Sequence, residues 1–76
     1  MKTFVDVYIS SNGMKMSEVV QELLNMGLTP TIGDHDFEYE WEDPIPTVAT
    51  VAELANAVQD RLSDAQVLLR FVTKRQ

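Results

Sequence analysis

The chain reads as an α+β domain with the element order β-α-β-β-α-β, and three observations predict it. Residues 36–42, Asp-Phe-Glu-Tyr-Glu-Trp-Glu, alternate an acid with an aromatic at every step. That is the period of a strand with one apolar and one anionic face. Two stretches, 16–24 and 51–62, repeat apolar residues at intervals of three and four, the period of an amphipathic helix. Two further runs rich in β-branched and aromatic residues, 4–10 and 67–73, stand near the ends of the chain as its first and last strands.

Residues 4–10 are expected as the first strand, with Val5, Val7 and Ile9 on one face and Phe4, Asp6 and Tyr8 on the other. Ser11-Asn12-Gly13 ends it with a turn. The first helix has its apolar stripe on Met16, Val19, Val20, Leu23 and Leu24, with Ser17 as its cap and Glu18 at the positive end of the dipole. Gly27 followed by Leu28 is the pattern of a helix closed by a left-handed glycine and an apolar residue. Residues 28–32 make a short second strand, and Pro30, which lacks an amide hydrogen, assigns it to an edge. Gly33-Asp34 turns the chain into strand three at 36–42, and Asp43-Pro44-Ile45-Pro46 stops regular structure. The second helix is expected from about Thr50, where Thr50 and Glu53 have capping-box spacing, with Val51, Leu54, Ala55, Val58 and Leu62 buried. It ends at Ser63-Asp64. Val67, Leu69 and Phe71 share one face of the last strand, and residues 74–76 are expected to fray.

This order spans nearly the whole chain and resembles the ferredoxin-like split βαβ superfold. The resemblance implies a single domain over 1–76 with a four-stranded antiparallel sheet and two helices packed on one face. Strands one and three would lie in the middle and strands two and four at the edges. It implies no activity, because the superfold hosts many. The register then sends Phe37, Tyr39 and Trp41 toward the helices. Asp36, Glu38, Glu40 and Glu42 face away, beside Asp6 and Tyr8, with Arg70 next to Asp6. Slipping by one residue would bury four carboxylates, each costing several kcal/mol unless paired.

Composition narrows the chemistry. The chain has 76 residues, 45% of them hydrophobic and 24% charged, which is ordinary for a globular protein and excludes disorder. It has no cysteine and one histidine, His35, so disulfides, zinc–thiolate sites, iron–sulfur clusters and multi-histidine sites within the chain are excluded and no cofactor is expected. No apolar run approaches the roughly 20 residues of a membrane span. Asp6 interrupts the first apolar run, so a cytoplasmic protein with no membrane role is expected. The net charge is −6 and unevenly placed: six acids lie between Asp34 and Asp43, whereas Arg70, Lys74 and Arg75 collect at the end.

An open sheet face bearing carboxylates repels a phosphate backbone, so nucleic acid is not expected, although RNA-recognition modules share this element order. Carboxylates two apart on a strand are about 6.5–7 Å apart and cannot wrap a cation. Asp34 and Asp36, in the turn, are the candidate ligands for a divalent ion. Acylphosphatases resemble this architecture and rely on a first loop bearing an arginine. Here residues 10–15 include Lys15 and no arginine, which leaves hydrolysis of a small phosphorylated substrate as an outlying reading. In Asp34-His35-Asp36 the carboxylates can orient an imidazole as a general base. With no nucleophile beside it, His35 is expected as a solvated turn residue. Phe4, Tyr8, Leu68 and Val72 then form an apolar strip on the open face, among Asp6, Glu38, Glu40 and Arg70. Those eight residues predict a non-enzymatic interaction module that binds a protein or pairs with itself as a homodimer. The alternative is a regulatory domain binding a small ligand or divalent cation near Asn12, Lys15, Asp34 and His35.

Overall fold

The computed structural model describes residues 1–42 and 45–75. Asp43 and Pro44, which were expected to stop strand three, and Gln76 of the fraying tail lie outside the described residues. The elements are β1 (Lys2–Tyr8), α1 (Met16–Asn25), β2 (Thr29–Pro30), β3 (Phe37–Glu40), α2 (Val48–Arg61) and β4 (Leu68–Lys74). They make an α+β structure with one open antiparallel sheet in the order β2-β3-β1-β4 and two helices. No helix among the described residues is long and apolar enough to cross a membrane.

The alternation of the sequence becomes the two faces of the sheet. Val5 stands opposite both Phe37 and Phe71, and Thr3 opposite Tyr39 and Thr73. Val5, Val7 and Phe37 form one buried core with Val19 and Leu23 of α1, Val58 of α2 and Leu62 at the C-cap of α2. Both helical stripes are therefore spent on the same sheet face, each large apolar side chain contributing about 1.5–3 kcal/mol of burial. Trp41 fastens the rim of that face. Its Nε1–H donates to Thr3 Oγ1 at 2.8 Å, the Thr3 and Thr73 hydroxyls are 2.8 Å apart, and its ring meets Tyr39 edge-on at 4.8 Å. One hydrogen-bonded chain thus crosses β1 and β4 and reaches the residue that follows β3.

The end of α1 follows its sequence pattern. Gly27 has φ +90°, Leu28 N–H donates to Leu23 O, Gly27 N–H donates to Leu24 O, and Leu28 is fully buried. Both bonds of a Schellman closure are present. Its start corrects the expectation: the cap position is Lys15, with no side-chain bond, and Ser17 lies inside the first turn. The cause is tertiary. Gly13 packs so closely on the α2–β4 connection that a Cβ there would come within 2.2 Å of Ala65 O, and Met14 N–H donates to the same oxygen. With the chain tied at Met14, the helix begins at Met16.

α2 also starts earlier than its capping-box spacing suggests. Thr47 is the cap, its Oγ1 accepting from Thr50 N–H at 3.1 Å. Thr50 receives the cap instead of supplying it, because Thr47 already satisfies that orphan amide. The strand ends shift as well. β1 begins two residues sooner than expected and stops at Tyr8, which leaves Ile9 half-exposed instead of inward. Leu24, at the margin of the α1 stripe, is exposed.

Candidate contact face and its buried aspartate

The second face of the sheet presents its residues in cross-strand rows. Lys2 lies between Glu40 and Lys74, Phe4 between Glu38 and Val72, Asp6 beside Arg70, and Tyr8 beside Leu68. All eight residues expected to form an interface therefore share this face. The row positions differ in detail: Glu38 and Glu40 stand opposite Phe4 and Lys2, not beside Asp6 and Tyr8. The carboxylates therefore sit nearer the start of β1, and the pairing of β3 with β1 runs from Lys2↔Glu40 to Val5↔Phe37.

Beyond that pair the ladder is continued by side chains. Val7 N–H donates to Asp36 Oδ2 at 2.9 Å, and Asp36 N–H donates to Asp6 Oδ1 at 3.2 Å. Hydrogen bonds thus run in both directions between β1 and the residue before β3, one from Val7 N–H to the Asp36 carboxylate and one from Asp36 N–H to the Asp6 carboxylate. The loop behind them is closed by Thr31 N–H to Asp36 O at 2.9 Å and by the Thr31 hydroxyl to His35 O. This closure places the His35 ring on the sheet, stacked on Phe4 with 4.5 Å between centroids and 21° between planes.

Asp6 is consequently buried, with 4% of its surface exposed, although it faces away from the helices. His35 is not the solvated turn residue expected from its flanking acids: its side chain is only 14% exposed, and its carboxylate partner is Asp6, not Asp34. An ionised carboxylate only accepts hydrogen bonds, so Nδ1 carries the hydrogen toward Asp6 at 3.1 Å. Nε2 is then an acceptor and faces Lys74 Nζ at 3.5 Å, while that ammonium also lies 5.9 Å from the Phe4 ring centroid. Arg70 Nη1 approaches Asp6 Oδ2 at 3.5 Å from a largely exposed position. Sequence reasoning missed this cluster, although one signal for it exists. Asp6 interrupts an apolar run on a central strand, where a carboxylate requires partners, and the chain has a single imidazole to offer.

The cluster covers half of the face and leaves the other half bare. Phe4 is half-buried against His35 and Lys74, and Val72, its neighbour on β4, is half-buried beside it. Tyr8 and Leu68, the last row, are 57% and 73% exposed. They form a cross-strand apolar pair beside the exposed Arg70.

The ligand-binding expectations meet a different geometry. Asp34 is exposed, Asp36 is engaged by Val7 N–H, and the described residues contain no group of three or more His, Asp or Glu side chains placed to hold a metal ion. In the first loop, Asn12 N–H donates to Ser10 Oγ, Gly13 N–H to Ser10 O and Met14 N–H to Ala65 O. Three amides of this loop are thus used within the fold.

Among the described residues, Lys2 is the one group moved clearly from its ordinary titration range. A hydrogen bond from its ammonium to Glu38, reinforced by the charges of Glu38 and Glu40, raises its pKa against the opposing effect of desolvation. A raised folded value means that its contribution to stability is complete below the unfolded lysine value and is lost as pH climbs through the folded one. Lys2→Met is therefore expected to melt lower at neutral pH and to show a shallower alkaline decline than the parent chain above about pH 10, read from melting curves across that range.

No protein-family model, curated protein or solved structure matches the chain.

Proposed function

We propose that this chain is a ferredoxin-like split βαβ module without enzymatic activity, whose open sheet face binds protein. Support for the architecture comes from strand direction. α1 joins β1 and β2, which run the same way with β3 between them, and α2 joins β3 and β4, which run the same way with β1 between them.

The observation that carries the functional reading is the exposed Tyr8–Leu68 pair beside Arg70. An aromatic ring and an aliphatic side chain in one row, with a guanidinium in the next, have the composition of a contact centre. Glu38 and Glu40 on β3 and Lys74 on β4 give the surrounding face opposite signs on its two sides, which selects partners by charge.

If these side chains serve a contact and not the fold, removing them leaves the fold intact. The double substitution Tyr8→Ser/Leu68→Ser is expected to change unfolding stability by no more than about 0.5 kcal/mol in a denaturant melt. A loss above about 2 kcal/mol, the range of a core side chain, would assign both residues to the fold and remove the basis for the proposal.

A further inference from the structure

We infer that two copies of this chain pair through their β4 strands, joining the two sheets edge to edge into one sheet of eight strands. The contact lies on the rim of the sheet, not on the open face, so it extends the reading above and is tested separately from it.

The two edges of the sheet are unlike. β2 has two residues, one of them Pro30 with no amide hydrogen to offer. β4 has seven residues without a proline, and among the described residues no strand pairs with its outer side. An unpaired edge of that length presents a row of backbone donors and acceptors that a second strand can satisfy. Antiparallel pairing over seven residues supplies roughly six to eight backbone hydrogen bonds.

Charge selects the partner and the register. A two-fold axis through an antiparallel pair passes through one residue of β4 and its copy. Centred on Arg70, the axis opposes Arg70 to itself; centred on Val72, it opposes Arg70 to Lys74. Like charges directly opposite are destabilising. Centred on Phe71, all seven residues pair. Leu68 then faces Lys74, Leu69 faces Thr73, Arg70 faces Val72 and Phe71 faces itself, with no charge opposite its like. The strand is thus self-complementary in its longest register and penalised in the neighbouring ones.

The rim beneath β4 is also incompletely filled. A cleft of about 310 Å³ lies beside Leu62, Val67 and Leu69, and a mostly apolar groove of about 420 Å³ lies beside Val51, Ala55 and Thr73. Because Leu69 faces Thr73 in the Phe71-centred pair, the cleft of one copy adjoins the groove of the other. Both are then shielded by the contact. The short β2 edge offers no equivalent strand, so pairing closes at two copies and does not propagate.

The test uses the full chain. Sedimentation is expected to show a dimer by about 100 µM, the range of a small interface. Val72→Arg places a cation opposite Arg70 of the other copy twice per dimer and is expected to weaken association about tenfold. Val72→Glu is expected to strengthen it by a similar factor. The variant Leu68→Cys/Lys74→Cys, in a chain with no native cysteine, is expected to form a covalent dimer in a glutathione redox buffer, whereas each single variant does not. Tyr8→Ser, on β1, leaves all of this unchanged. A monomer at about 1 mM, far above any specific interface of this size, would overturn the inference. So would equal effects of Val72→Arg and Val72→Glu, or no cross-link from the cysteine pair. Loss of association on Tyr8→Ser would do the same, because it would move the contact from the rim to the open face.

Discussion

Asp6→Ala is expected to lower unfolding stability by about 3 kcal/mol, because it removes the acceptor shared by three groups. Asp36 N–H and His35 Nδ1–H are left without a partner under the loop, and Arg70 loses its anion. The guanidinium is largely exposed and water replaces its partner at little cost, so most of the loss arises from the amide and the imidazole. A chain of this length has a total stability of roughly 4–11 kcal/mol, and the expected fall in melting temperature is roughly 12–24 °C.

Asp6→Asn separates charge from shape. Its carbonyl, in the place of Oδ1, still accepts from Asp36 N–H and remains within reach of Nδ1–H, but its NH₂ group, in the place of Oδ2, meets Arg70 Nη1 donor against donor and no longer accepts from the imidazole. A loss of about 1 kcal/mol, intermediate between alanine and the parent, is the expected result. Amide exchange at Asp36 should accelerate in both variants, more in alanine. An Asp6→Ala variant within about 0.5 kcal/mol of the parent would mean that the loop is not anchored on the sheet.

Phe37→Ala and Glu38→Ala form the second prediction, as a contrast between neighbours. Phe37 is 2% exposed, lies opposite Val5 and belongs to the core, so truncating it is expected to cost about 3–5 kcal/mol. Glu38 points to the other face and holds Lys2 in a partly exposed ion pair. Its removal is expected to change stability by less than about 1 kcal/mol. Denaturant melts of the two variants read the register directly. If Glu38→Ala were the more damaging, the faces of β3 would be reversed.

The face assignment of β3 was legible in the sequence because it depends on strict alternation, and alternation survives errors in strand length and in cross-strand pairing. The acid–aromatic series told which face of β3 is buried even though β3 pairs over only four residues. The Gly27-Leu28 closure of α1 was legible for a similar reason, as its bonds are local. The helix starts were not. Thr47 and Thr50 are equivalent cap candidates by type, and the start of α1 depends on Gly13 meeting Ala65, a contact across the chain. The eight residues expected at an interface were legible as one face, yet their burial was not. His35 and Asp6 are 29 positions apart, and nothing in the local pattern at Asp34-His35-Asp36 indicates that the ring turns away from its own neighbours. Once it does, Phe4 and Val72 become half-covered supports, and Tyr8, Leu68 and Arg70 remain as the exposed part of the face.

The most direct measurement is site-specific photocross-linking in the cells that make the protein, with a benzophenone side chain placed at Tyr8 and, in a second chain, at the exposed Gln21 of α1. The expected result is a discrete protein adduct from the Tyr8 position that is absent from the Gln21 position and is lost when Leu68→Ser is added. No adduct from Tyr8, or the same adducts from both positions, would contradict the assignment of the open face as the contact surface.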